Sequence, residues 1–189
     1  MGWTEYAATE FTASGRISIS REIRKEAMSG LADGYEFIDG SLVGSVFYAA
    51  IKNPDGNVFC AVYLTGTRDN YWFSYKGISE HWGPHQHGCP DRILDKLTPT
   101  GDEWTNEWRA ECRRRNSSKK LFESLPEGSV AKWTATFSCR SFEKGEEVTL
   151  VKGRQNRYRR RSPFVWHVSG EYSYIKPDEV VEFEVVRRK

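Results

Sequence analysis

Residues 45–66 constrain the fold of this chain more than any other stretch. SVFYAAIK, at 45–52, is a near-continuous apolar run, and VFCAVYLTG, at 58–66, follows it after the turn Pro54-Asp55-Gly56. Two such runs, rich in β-branched and aromatic residues and split by a turn, predict a long antiparallel hairpin. Shorter runs at 35–38 and 71–75 add strands on either side, so the pattern predicts a meander built on that hairpin. Residues 2–11 read as a further strand. Ser20 reads as the N-cap of a short helix, REIRKEAMSG, with Ile23 and Ala27 one turn apart and Gly30 as its stop.

Two helices are predicted next. The first covers about 90–97, with Ile93, Leu94 and Leu97 on one face. The second opens at Thr100-Gly101-Asp102-Glu103, a capping-box pattern, and carries Trp104, Trp108 and Cys112 as an apolar stripe. The polar run RRRNSSKK then reads as part of a linker over 113–125. Beyond Leu125 the period becomes two: Ala131, Trp133, Ala135 and Phe137 alternate, then Val148 and Leu150, then Phe164, Trp166 and Val168, then Val181, Phe183 and Val185. Short strands split by turns over about 60 residues suggest a small barrel. The expected fold is therefore α+β. An N-terminal antiparallel β meander with short helices spans 1–112, and a small Src-homology-3-like or Tudor-like β-barrel spans 126–189.

With seven Trp and 14% aromatic residues, such a chain can bury a core although only 38% of it is hydrophobic. No apolar run approaches the roughly 18–20 residues that a membrane span needs. The N-terminal MGWTEYAATEF lacks the basic start and apolar stretch of a secretory signal. Four cysteines without paired spacing read as reduced thiols, so the expected location is cytoplasmic.

Charge is distributed unevenly. Residues 1–111 hold 10 of the 28 Lys and Arg and 16 of the 26 Asp and Glu, for a net −6, whereas residues 112–189 are net +8. Half of the basic residues lie in three pieces: RRRNSSKK, KGRQNRYRRR at 152–161, and the terminal RRK. Such asymmetry points to an anionic partner for the basic half. Lys152, Arg154, Arg157, Arg159, Arg160 and Arg161 offer phosphate contacts, and Tyr158 among them offers a ring for base stacking. A solvated loop is the competing reading of the same run.

The second candidate is EHWGPHQHGCP, which places His81, His85, His87 and Cys89 within nine residues. If a helix starts at Pro90, Cys89 is its N-cap, and the helix dipole favours its thiolate. An enzyme of the Cys-His type would use Cys89 as nucleophile, His81 or His167 as base, and Asp91 or Glu80 as orienter. His85, His87 and Cys89 are the residues that could begin a zinc site. A second pair of ligands is not evident, and the chain has no CxxC and no HExxH. Ordinary polar loop residues are the alternative, and no cofactor is expected on that reading.

The opening Gly2-Trp3-Thr4, the run GSVFYAAIK and the block GPHQHGCPDRILDKLTPTGDEWTNEWRAEC resemble an uncharacterised family found in phages and other bacterial mobile elements. The resemblance continues more loosely from Leu125 onward. It implies a setting in a host-cell cytoplasm rather than a mechanism. In this family a Cys can stand at the position of His85, and the three histidines are not part of the pattern. Two functions follow. The first is an accessory protein that binds nucleic acid through the basic barrel loop, largely independent of sequence, with the acidic N-terminal domain free to bind a host protein. The second is a small hydrolase or transferase dependent on Cys89.

Overall fold

The computed structural model describes residues 3–7, 12–67, 72–80, 86–154, 164–171 and 173–188, with the backbone alone for Tyr6 and Ser79. It is mixed α+β and mostly antiparallel sheet. The chain divides into two units, residues 1–113 and 114–189.

The first unit is organised by its apolar hairpin. Strands β1 (Thr4–Ala7), β2 (Glu36–Val43), β3 (Val46–Lys52), β4 (Val58–Thr67) and β5 (Trp72–Ser79) form one antiparallel sheet in the order β1-β5-β4-β3-β2. β3 lies between β4 and the edge strand β2 and is buried along almost its whole length. Alternate side chains of a strand leave opposite faces, so β3 needs two covers. Phe47, Ala49 and Ile51 pack with Phe73 and with Ile23 and Ala27 of helix α1 (Ile19–Ser29). Val46, Tyr48 and Ala50 pack with Cys60, Val62, Cys89, Ile93, Leu94, Trp108 and Cys112. Ile93 and Leu94 belong to α2 (Asp91–Leu94), and Trp108 and Cys112 to α3 (Glu103–Ser124).

Edge strand β2 carries a bulge between Phe37 and Asp39. The next residue, Gly40, has no room for a side chain, since a Cβ there would collide with the rings of Phe47 and Phe37. Arg92 reaches the edge, donating to Asp39 Oδ2 at 2.6 Å and to the Gly40 carbonyl at 2.8 Å. It thereby occupies an acceptor that an edge strand would otherwise offer to another chain.

Helix α3 departs from expectation. The run 113–124, read as linker, is helical, and α3 continues unbroken to Ser124. Its N-terminus is capped by Asp102, whose Oδ2 accepts from Thr105 N at 2.8 Å, rather than by the Thr100–Glu103 box. The buried face near its start is Thr105, Trp108 and Cys112, whereas Trp104 is 71% exposed. The 3.6-residue period is the reason: Trp108 shares a face with both 104 and 105, and burial selected the smaller residue.

In the second unit the sheet order is β10-β6-β7-β8-β9, all antiparallel, from β6 (Val130–Thr134), β7 (Glu147–Arg154), β8 (Phe164–Val168), β9 (Tyr174–Ile175) and β10 (Glu184–Arg187). A 3-10 turn at Pro177–Glu179 joins β9 to β10. The period-two pattern lands as expected: Ala131, Trp133, Val148, Leu150, Trp166, Val168 and Phe183 form the core, with Phe122 and Leu125 packed against it. Aromatic pairs dominate, including Phe122–Trp166 and Trp166–Phe183, both with centroids 5.0 Å apart. The indole N–H groups of Trp133 and Trp166 meet no N or O acceptor among the described residues. Both lie among aromatic rings, whose faces accept N–H weakly.

Glu182 adopts a left-handed backbone (φ 57°), which costs a non-glycine residue energy. Its N–H donates to Ser118 Oγ at 3.1 Å, and its carboxylate lies 3.5 Å from Arg114. Those contacts hold the chain as it enters β10.

Lys152 is the central polar group of this unit. It was expected to face phosphate, but it is buried at 4% exposure. Its Nζ donates to the carbonyls of Phe122 at 2.7 Å, Leu125 at 2.6 Å and Glu123 at 3.4 Å. It also sits 4.5 Å from the Phe122 ring centroid and 5.0 Å from that of Phe164. The last carbonyls of a helix lack intrahelical partners and carry negative partial charge, so an ammonium there closes the end of α3. Burial pushes the Lys152 amine below its ordinary pKa, and Glu123 offsets this only partly.

Lys152→Met keeps the stem and removes the charge, so it should destabilise the protein by about 1.5–3 kcal/mol in denaturant unfolding. With a depressed folded pKa, the unfolded chain binds more protons between the two values. Wild-type stability therefore gains from this group as pH rises through that window, and the variant should lack the gain.

Candidate functional site

Cys89 stands just before α2, where Pro90, not Cys89, occupies the N-cap position. Its residue is 0% exposed, and Sγ lies 3.9 Å from the Pro90 carbonyl. A hydrogen bond with the Cys60 thiol and burial together push the Cys89 pKa far above its ordinary range, and the nearby Cys112 adds to the rise. A nucleophile needs the reverse environment. The sequence placed the cysteine correctly at a helix start. It gave no sign that the thiol turns inward beneath β3 and β4.

The segment leading into Cys89 is held by hydrogen bonds. Tyr48 Oη accepts from Gly88 N at 3.1 Å and donates to the Gln86 carbonyl at 3.3 Å. The same carbonyl accepts from Trp108 Nε1 at 3.2 Å. Burial is the main reason that the Tyr48 phenol pKa is raised. Beside this segment, Glu80 and Arg109 form a bidentate pair, with Nε–Oε2 at 3.0 Å and Nη2–Oε1 at 2.7 Å. Their side chains are 7% and 13% exposed. Arg109 Nη1 donates to the Thr98 carbonyl at 2.6 Å. Glu80, considered as an orienter of a catalytic histidine, is thus committed to an arginine.

His81 and His85 lie outside the described residues, as do Arg157, Tyr158, Arg159, Arg160 and Arg161. His87 is described and half-buried. Among the described residues, no group of three or more His, Cys, Asp or Glu side chains is arranged to hold a metal ion. His167 belongs to β8 in the second unit, where its Nε2 is 3.2 Å from the Arg154 carbonyl. Its ring fills the space that a side chain at Gly153 would need, since a Cβ there would lie 2.6 Å from His167 Cδ2.

The basic runs separate by use. Arg113 pairs with Asp95 at 2.8 Å, Arg114 with Glu182, and Arg115 donates to the Asp178 carbonyl at 3.3 Å. The arginines of this first run all have partners, although Arg113 and Arg114 are paired on the surface. Arg154 is the more exposed, at 73% of its side chain, and it meets Glu127 at 3.0 Å on the surface. Exposed pairs of this kind are worth about 0–1 kcal/mol and exchange readily. Arg154 pairs with Phe164 in the β7–β8 hairpin, and residues 155–163 lie outside the described residues. Arg187 and Arg188, at the end of β10, are also exposed.

No family model matches the chain, nor does any curated protein or solved structure. Among the described residues, no helix is long and apolar enough to cross a membrane.

Two measurements check this geometry. Alkylation near neutral pH should modify the exposed Cys139 first, with Cys60, Cys89 and Cys112 reacting only as the protein unfolds. Glu80→Ala, which strands a buried guanidinium, should cost about 3–5 kcal/mol in denaturant unfolding. Glu80→Leu combined with Arg109→Met should recover much of that loss.

Proposed function

We propose that this protein is a phage or mobile-element accessory protein that acts by binding nucleic acid, largely irrespective of sequence, through the basic connection between β7 and β8. The observation that carries the reading is the antiparallel pairing of β7 with β8, with Arg154 opposite Phe164. Arg157, Tyr158, Arg159, Arg160 and Arg161 stand in sequence between those two paired residues. Charge elsewhere supports the same division, since Arg113, Arg114, Arg115 and Lys152 are engaged within the protein.

The strand order β10-β6-β7-β8-β9, with a 3-10 turn before the last strand, supports reading this unit as a Src-homology-3-like or Tudor-like barrel. In such an architecture a hairpin loop is free to carry partner contacts. The acidic first unit is then available to a host protein, and the resemblance to mobile-element proteins sets the action in a host cytoplasm. Phosphate contacts position a protein without reading bases, so weak sequence preference follows from an arginine-rich loop.

Binding should weaken steeply with salt, with log K falling by roughly 0.7–0.9 per neutralised phosphate for each log unit of salt. Replacing Arg159, Arg160 and Arg161 with Ala should flatten that slope and weaken all sequences about equally. If the intact protein binds neither single- nor double-stranded nucleic acid at low salt, the proposal fails.

A further inference from the structure

Five residues line up across the whole second sheet. Arg187 pairs with Val130, Val130 with Val151, Val151 with His167, and His167 with Tyr174. Directly opposed residues of antiparallel strands point to the same face. The alternate residues Ala131, Leu150 and Val168 are core, so this row lies on the outward face. Arg187 is exposed, Tyr174 is 43% exposed, and Val130, Val151 and His167 are half-buried. Neighbouring strands lie about 4.8 Å apart, which makes the row roughly 19 Å from end to end, the span of a few nucleotides.

We infer that this row is a track for single-stranded nucleic acid, with Tyr174 and His167 as stacking rings and Arg187, joined by Arg188, as phosphate contacts. The inference rests on the proposed function and narrows its partner. Rings on a sheet face can stack only on bases whose faces are open, which a duplex hides. His167 is suited to the task because its ring lies over Gly153 and is tethered at Nε2 to the Arg154 carbonyl. The flanks differ in charge. In the next row, Lys132 is paired with Glu147 at 2.7 Å and opposed by Glu184, so two carboxylates surround one ammonium. That side repels a phosphate backbone. On the other side Gly153, beneath the His167 ring, carries no charge, since Arg154 shares the face of Leu150 and Lys152.

The test measures fluorescence anisotropy of the full chain with a labelled oligothymidine strand and with the same strand paired to oligodeoxyadenosine. The single strand should bind more tightly than the duplex. Tyr174→Ala should weaken it by about 5- to 140-fold, the range expected for loss of one stacked base. Tyr174→Phe should retain affinity, and Tyr174→Leu, which keeps bulk without a π face, should behave like Ala. Arg187→Ala with Arg188→Ala should lower the salt slope by roughly 1.4, two phosphates at the single-strand value. Arg140→Ala with Lys144→Ala, an equal loss of charge on the β6–β7 connection, should leave the slope unchanged. Equal affinity for strand and duplex, or wild-type binding by Tyr174→Ala and Tyr174→Leu, overturns the track. If replacing Arg159, Arg160 and Arg161 still weakens binding in that case, the proposed function survives without it. Absence of any binding at low salt removes both.

Discussion

The first unit is governed by one constraint: β3 is apolar on both faces, and both must be covered. α1 covers one face with Ile23 and Ala27. The other takes Cys89, α2 and the start of α3. Cys89 is drawn into that second cover. Sealing it required the Gln86 carbonyl and Gly88 N–H to be satisfied internally, which Tyr48 and Trp108 accomplish. The burial that completes the sheet is thus the same burial that raises the Cys89 pKa. A cysteine that looks reactive in sequence becomes part of the core.

Charge follows a similar logic in the second unit. Lys152 neutralises the end of α3 from inside, between two phenyl rings. Arg114 and Arg115 secure the chain around the 3-10 turn and the strained Glu182. Exposed cations remain among the described residues of this unit, including Lys132, Arg140, Lys144, Arg154, Lys176 and Arg187. A net charge of +8 over this half nonetheless overstates the cation available to a partner, because part of it is consumed by folding.

Most strands were legible because alternation and apolar runs are local properties. β3 and β4, and the buried positions of β6, β7 and β8, follow directly from residue type. The misreadings share a different cause. RRRNSSKK looks like linker because it is polar, yet Ser118 and Phe122 on the same helix give α3 a buried side in the second unit. Trp104 and Thr105 are one residue apart, and only tertiary packing decides which of them turns inward. Lys152 alternates in phase with Val148 and Leu150, a signal that it points into the core, but its place within a basic run masked the phase. Cys89 and Cys60 are distant in sequence, so nothing local could report that one thiol would shield the other.

Strand register is the least local property of all, and the outward row depends on it entirely. Arg187, His167 and Tyr174 are unremarkable one at a time. They share a face only because β10 crosses back beside β6, and because the bulge between Val185 and Arg187 restores Arg187 to the row opposite Val130. Without that extra residue, period two would send Arg187 to the core face and Val186 outward in its place. A bulge at the last rung of an edge strand thus determines whether a cation or an apolar side chain completes the row. It is the smallest structural feature on which the outward row turns.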